Sequence, residues 1–331
     1  MVHSRENPDI RPFTGKIALL GAGAMGGYYG ACLFRAGFDV HFLMRRDYEA
    51  VRERGLAVRS VRGDFHIEPP VYEMPEAIGP ADLVLVGLKA TDNAALPGLL
   101  APLLGPATRV LTLQNGLGNE EAVAAALADL APGGDPARRV LGGIAFICSH
   151  RGEPGVIHHT QHGWIKLAEM AGPPTAATRS IAEMFRRAGI DCRLEADLRR
   201  MRWSKLVWNV PFNGLGVAAG HADTAAILAD AELRELAERL MDEVMAAAEA
   251  DGAPLDPALP ADMMGQTPSM GAYRTSMQLD YEAGRPMEVE AIFGEPLRRA
   301  RAAGLEAPRL AMLHALLRRL DAENRPAQIF H

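Results

Sequence analysis

Three polar side chains recur at helical spacing in the second half of the chain. Lys205, Asn209 and Asn213 stand at i, i+4 and i+8 within the stretch WSKLVWNVPFN, so a helix there lines them along one face. Their neighbours are largely apolar, and a lysine and two amides in such a stretch must find partners or cost stability. A cleft holding a polar ligand would supply partners, and a solvated stripe would also serve. In a cleft, a lysine beside a carbonyl can hydrogen-bond its oxygen and donate a proton, and burial lowers its pKa toward that task. A further pair, Ser276 and Glu288, flanks Gly284-Arg285-Pro286, which breaks one helix and starts another. Glu288 then falls in the first turn of the new helix, where a carboxylate suits the dipole. That alone accounts for it.

The first half carries a different chemistry, that of phosphate binding. Gly21-Ala22-Gly23-Ala24-Met25-Gly26 fits G-x-G-x-x-G and follows the apolar run Ile17–Leu20 at once. A helix is expected over Met25–Ala36, with Gly37 at its C-cap, and a second strand over Phe38–Met44. Gly21 permits a tight turn, Gly23 lets the backbone approach a pyrophosphate, and Gly26 brings helix close to strand. The helix N-terminus then turns its free N–H groups to the phosphates. These six residues are candidate dinucleotide ligands. The second strand ends in His41-Phe42-Leu43-Met44-Arg45-Arg46, without the Asp or Glu that NAD sites usually place there. Arginine pairs with phosphate through its planar fork, so NADP(H) is expected over NAD. Arg45 is the candidate for the extra phosphate. Arg46 is a second arginine beside it, and either could be a solvated loop charge.

Ligands of doubly wound sheets gather at the carboxyl ends of strands. Lys89 closes the run Leu83–Leu88 and is placed to meet cofactor or substrate, or is a surface lysine. Asn115 follows the strand Arg109–Leu113 within Gln114-Asn115-Gly116. It could hold a nicotinamide ribose or a substrate carbonyl, or could merely form a turn. His158, His159 and His162 lack the Cys, Asp or Glu pattern that a zinc site requires, so no metal is expected. Gly155–Leu167 reads as two edge strands around a Gln161-His162-Gly163 turn. No G-x-S-x-G elbow supports serine acyl chemistry.

These residues need an architecture to hold them. The 331 residues suffice for two domains with full cores, and 48% of them are hydrophobic. A net charge of −6 argues against nucleic acid or an anionic membrane as main partner. No apolar run reaches a membrane span, and the polar N-terminus lacks a signal-peptide core. Three cysteines without a C-x-x-C pair suit reduced thiols in a cytoplasm. The expected fold class is α/β. A polar extension (residues 1–15) precedes a Rossmann-like dinucleotide-binding domain (16–195), which is followed by an all-helical domain (196–331). The first domain includes a hairpin over Gly55–Ile67, a helix over Asn119–Leu130 and a helix-strand pair, Thr175–Ala188 and Asp191–Leu194. In the second domain, long helices are expected over Asp197–Ala218, kinked at Pro211, and over Asp223–Ala250. The loop Ala253–Pro260 then leads to helices near Met270–Ala283, Met287–Ala303 and Ala307–Asn324. The Leu- and Ala-rich helices could pack in a homodimer.

Taken together, the chain from Lys16 to about Asn324 resembles the ketopantoate reductase (2-dehydropantoate 2-reductase) family. The family's glycine loop matches Gly21, Gly23 and Gly26, and its basic residue after the second strand matches Arg45. Its strand-closing lysine matches Lys89, and its Gln-Asn-Gly segment matches Gln114-Asn115-Gly116. Its Lys-x-x-x-Asn-x-x-x-Asn helix matches Lys205, Asn209 and Asn213, and its Ser twelve residues before a Glu matches Ser276 and Glu288. The resemblance implies NADPH-dependent reduction of a 2-oxo acid, 2-dehydropantoate foremost, to pantoate for pantothenate synthesis. It also implies roles. Lys205 would be the general acid, and Glu288 would hold a substrate hydroxyl or support Lys205. Asn209, Asn213 and Ser276 would position the acid, and Asn115 would lie between cofactor and substrate. The chain departs from the family where Met287-Glu288-Val289-Glu290 replaces a frequent Thr-Glu-Ile-Asp, and where Gly214 replaces a frequent Pro. Other readings are a reductase of another 2-oxo acid, a 3-hydroxyacid dehydrogenase, which also has a Lys-x-x-x-Asn helix, and an NADP-binding redox sensor without catalysis.

Overall fold

A computed structural model describes residues 11–131 and 134–324. Of the polar extension expected over 1–15, residues 1–10 lie outside the described residues. The chain groups into two compact units. One runs up to Gln114 and includes Asn119–Leu198, and the other joins Asn115–Gly118 to the residues from Arg199 onward.

The first unit is built on one sheet. Strand β1 (Ile17–Leu20) pairs in parallel with β2 (Val40–Leu43) and with β6 (Ala81–Val86). From β6 the sheet continues through β7 (Leu104–Thr112) and β8 (Val140–Arg151), again in parallel. A short β5 (Val71–Tyr72) borders β2. Strand β9 (Val156–Glu169) returns antiparallel to β8, and it carries β3 (Leu56–Ser60) and β10 (Cys192–Leu194) on its far side. The expected hairpin is present, with β3 antiparallel to β4 (Phe65–Ile67) and the Ser60 N–H bonded to the Asp64 carboxylate at 2.9 Å in its turn.

Alternate residues of β1 enter separate cores. Ile17 and Leu19 join Tyr29 and Leu33 of α1 (Ala24–Arg35) and Ile181 and Phe185 of α5 (Ala176–Arg187). Ala18 and Leu20 join Leu96 and Leu100 of α3 (Leu96–Leu100) and Val123 and Leu127 of α4 (Asn119–Leu130). A strand buried on both faces, with helices against each, is the doubly wound arrangement. A short α2 (Tyr48–Arg54) links β2 to β3. Cys32, Cys148 and Cys192 are buried in this unit, and no disulfide joins them.

One expectation fails here. The segment Gly155–Leu167 is not two edge strands around a turn. It belongs to the single strand β9, with register shifts opposite Phe146/Ile147 and Cys148/Ser149. His162 takes a positive φ of 62° there. Both flanks keep pairing with β8, so the irregularity is a bulge and the chain does not reverse. His159 is fixed beside it, with Nδ1 2.8 Å from the Ser60 hydroxyl and Nε2 facing the Gln161 and His162 carbonyls. Among the described residues no group of three or more His, Cys, Asp or Glu is arranged to hold a metal.

The second unit is helical. Its centre is α6 (Leu198–Ala218), which runs through Pro211 and is buried along most of its length. Trp203 is fully buried and donates its indole N–H to Asp251 at 2.8 Å, and Trp208 donates to Thr267 at 3.0 Å. The helix expected over Asp223–Ala250 is two helices, α7 (Thr224–Ala229) and α8 (Ala231–Ala250). Asp230 separates them, because its carboxylate caps α8 by accepting from the N–H groups of Glu232 and Leu233, both at 3.0 Å. The expected loop Ala253–Pro260 ends earlier, because α9 (Leu259–Gln266) begins within it, with Pro260 in its first turn. Helices α10 (Ser276–Glu282), α11 (Glu295–Ala302) and α12 (Pro308–Asn324) complete the unit, and a wide π turn over Glu290–Gly294 leads into α11. No helix among the described residues is long and apolar enough to cross a membrane.

Candidate active site

In the first unit the three glycines answer to three different constraints. Gly21 has φ +86°, and a Cβ there would lie 2.6 Å from the Leu88 nitrogen. A Cβ on Gly26 would lie 2.3 Å from the Gly21 carbonyl oxygen, so only glycine lets α1 pass this close to the turn. A Cβ on Gly23 would meet nothing within 4 Å. Protein packing therefore does not require Gly23, and the space above it suits an approaching phosphate. Gly23 is also the N-cap of α1, with no capping side chain and no acid in the first turn. Ala22, Ala24 and Met25 complete this turn, and its N–H groups and helix dipole fit an anion.

Arg45 stands just beyond β2, with its side chain 81% exposed and a loose ion pair to Asp92 at 4.0 Å. Arg46 is exposed as well. Lys89 stands at the N-cap position of a short 3₁₀ turn, Ala90–Ala95, after β6, and its side chain makes no capping bond. A chain of hydroxyl and amide side chains, buried except for the half-buried Asn93, fixes that turn. The Thr112 hydroxyl donates to Gln114 at 2.8 Å, Gln114 donates to Asn93 at 2.6 Å, and Asn93 donates to Asn119 at 3.0 Å.

In the second unit the structure joins Lys205 to two residues distant in sequence. The Lys205 ammonium donates to Asn115 Oδ1 at 2.6 Å, and Asn115 Nδ2 donates to Glu288 Oε2 at 3.4 Å. Glu288 is buried and stands just before the helical turn, not inside it, with its carbonyl accepting from the Ile292 N–H at 3.1 Å. Lys205 keeps part of its surface accessible. Burial of its ammonium foremost, and then the Arg202 guanidinium one turn earlier, pull its pKa down to about 7, while Glu288 pulls the other way. Such a lysine can both hold and release a proton near neutral pH.

Asn209 and Asn213 lie on the same helix and are both buried. Asn213 Nδ2 donates to the Asn209 carbonyl at 2.9 Å, which leaves Asn213 Oδ1 a buried acceptor without a partner. An orphaned acceptor of this kind costs stability unless a ligand fills it. Ser276 opens α10 in an exposed position, and the structure does not bring it into the Lys205–Asn115–Glu288 bonds.

Two models of one family match the chain. That described as ketopantoate reductase PanE/ApbA covers residues 17–172, and that of its C-terminal part covers 197–321. The chain belongs to the ketopantoate reductase family. It is 42% identical to a 2-dehydropantoate 2-reductase of Nostoc sp. over 95% of this chain and 98% of that one. Its structure superposes with a TM-score of 0.87 on a 2-dehydropantoate 2-reductase of Geobacter metallireducens GS-15, 48% identical, over 92% of this chain and 99% of the other. That of Methylococcus capsulatus gives 0.84 at 34% identity, over 95% and 99%.

Against that family, the departures fall at packing and surface positions. A Cβ at Gly214 would lie 2.4 Å from Leu313 Cδ2, so a larger residue there requires the Leu313 side chain of α12 to shift. Met287 is buried in the helical core, and Glu290 is exposed and pairs with Arg298 at 2.8 Å. Sequence reasoning missed Arg202 and the Thr112–Gln114–Asn93–Asn119 chain. Arg202 was legible in principle, because it precedes Lys205 by three residues and shares its face. Nothing in the sequence links Asn93 to Gln114.

Proposed function

We propose that this protein reduces 2-dehydropantoate to (R)-pantoate with NADPH in the cytoplasm. The observation that carries this reading is the Lys205–Asn115–Glu288 group, in which a lysine with a pKa of about 7 is held by an amide and backed by a buried carboxylate. The unit with the glycine loop is the NADP(H)-binding domain, and the helical unit is the substrate domain. Bound NADPH would supply a hydride at its nicotinamide. Lys205 hydrogen-bonds the oxygen of the 2-oxo group and gives it a proton as the carbon accepts the hydride, so that C=O becomes CH–OH. Asn115 holds the ammonium in place, and Glu288 fixes the Asn115 amide and accepts from a substrate hydroxyl. The unpartnered Asn213 Oδ1 suits a second substrate donor. Asn209 and Ser276 would complete the acid's site, and the turn Gly21–Gly26, Lys89 and Arg45 would hold the cofactor.

A non-catalytic NADP sensor has no use for a lysine poised in this way, and neither departure from the family pattern alters the group. The test is NADPH oxidation over a panel of 2-oxo acids. Brisk turnover of 2-dehydropantoate is expected, and turnover of another acid in its place would sink the substrate assignment. In the same assay Arg45→Ala should weaken NADPH and spare NADH, because Arg45 is exposed and its loose pair to Asp92 carries little stability. Equal losses for both cofactors would refute the phosphate contact.

A further inference from the structure

Asn115 is attached to the helical unit by a feature of the backbone. The two residues that follow it lie against the π turn Glu290–Gly294. The Leu117 N–H donates to the Ala291 carbonyl at 2.9 Å. Gly116 passes the same carbonyl with φ +89°, and a Cβ there would lie 2.3 Å from its oxygen. That carbonyl is open for a reason written in the sequence. In an α-helix it would accept from Glu295, but the wide turn directs the Glu295 N–H to Glu290. In a continued π-helix it would accept from residue 296, and Pro296 has no N–H. Leu117 takes the place that both helical donors leave.

We infer that Pro296, through the Ala291 carbonyl, is a positioning residue for the reaction. By denying that carbonyl a helical donor it seats Leu117 and Gly116, and so holds Asn115 Oδ1 on the Lys205 ammonium. Gly116 is its counterpart on the docked segment. The inference rests on the reading of Lys205 as the proton donor.

Pro296→Ala supplies an N–H and removes the bar to a regular helix, where the Ala291 carbonyl bonds within its own helix. A purely structural proline would leave kinetics unchanged, and its removal from a helix would maintain or raise the melting temperature. The inference expects unchanged or higher thermal stability with kcat lower by roughly tenfold, the scale of a slightly misplaced catalytic group. KM for NADPH should hold. Lys205 should also titrate at lower pH, because the amide oxygen that favours its charged form is loosened. That titration can be read without turnover. The chain has only four lysines, Lys16, Lys89, Lys166 and Lys205, so lysine side chains carrying ¹³C at Cε give a sparse NMR spectrum, with Lys205 assigned by its loss in Lys205→Arg. A midpoint that is unchanged or raised in Pro296→Ala overturns the inference. Gly116→Ala should lower the midpoint as well, and gives a second route to the same contact. If the wild type fails to reduce any 2-oxo acid, the functional reading fails while the NMR midpoint still decides the docking role. If the wild type turns over and Pro296→Ala matches it in rate and midpoint, only this inference falls.

Discussion

Lys205 holds its proton up to about pH 10.5 in an unfolded chain and only to about pH 7 in the folded one. Between those values the unfolded state binds the extra proton, so this group's contribution to stability rises with pH. Its full penalty is present below about pH 7 and fades as pH approaches 10.5. Lys205→Met, which keeps the stem and removes the charge, should therefore melt higher than the wild type near pH 6, with the gain shrinking toward pH 10. A gain that is independent of pH would contradict the depressed pKa. The same proton drives the reduction, so kcat should fall as pH rises through about 7. Lys205→Ala should lower kcat by roughly 10²–10⁴ for loss of a general acid. A near-normal rate in that variant removes Lys205 from the role. At this scale the sequence was informative. The spacing of Lys205, Asn209 and Asn213 placed them on one face, but left a solvated stripe equally open. Burial and the Asn115 contact come from residues far away in the chain, which spacing does not report.

Helices and strands were legible where local signals agree. The glycine turn, the Gly55–Ile67 hairpin and α4 lie close to their expected positions, because each has its own punctuation in Gly63, in Gly21 or in the acids of a first helical turn. Where the expectation failed, a residue acted in a second capacity. Asp230 looked like one more polar position on a long helix, yet it ends α7 and caps α8. Pro260 reads locally as loop, yet proline suits the first turn of a helix, and α9 begins there. The bulge in β9 is set by pairing with β8, a partner that local sequence does not name. Asp230→Ala should cost about 1 kcal/mol by loss of the cap, read as a lower midpoint in urea with unchanged slope. No loss would mean that α8 is held by packing alone.

Across the whole molecule, the chain order and the compact units do not coincide. Residues 115–118 are flanked in sequence by β7 and α4 of the first unit but belong to the second. Sequence reading assigned Gln114-Asn115-Gly116 to the end of a strand and had no means to transfer it. Leu117 is buried at 4% exposure in the helical core. A fragment comprising residues 199–331 therefore lacks a core leucine and the acceptor of Lys205. Losing a buried leucine costs about 2–5 kcal/mol, so the fragment should unfold with poor cooperativity, and a peptide spanning residues 113–120 should raise its melting temperature. A fragment that melts as sharply as the intact chain, with or without the peptide, would show that the segment adds nothing to that core.

The three cysteines have a practical consequence. Each is at most 5% exposed, and burial raises the Cys32 thiol and pushes the Cys192 thiol up to about 12. Thiol-directed reagents act on the thiolate, so the native protein presents little for a maleimide dye to modify at neutral pH. A cysteine introduced by Val61→Cys, at a position 69% exposed beside the hairpin turn, would then accept a single fluorophore. The protein is in effect already prepared for site-specific conjugation, without first removing its own cysteines.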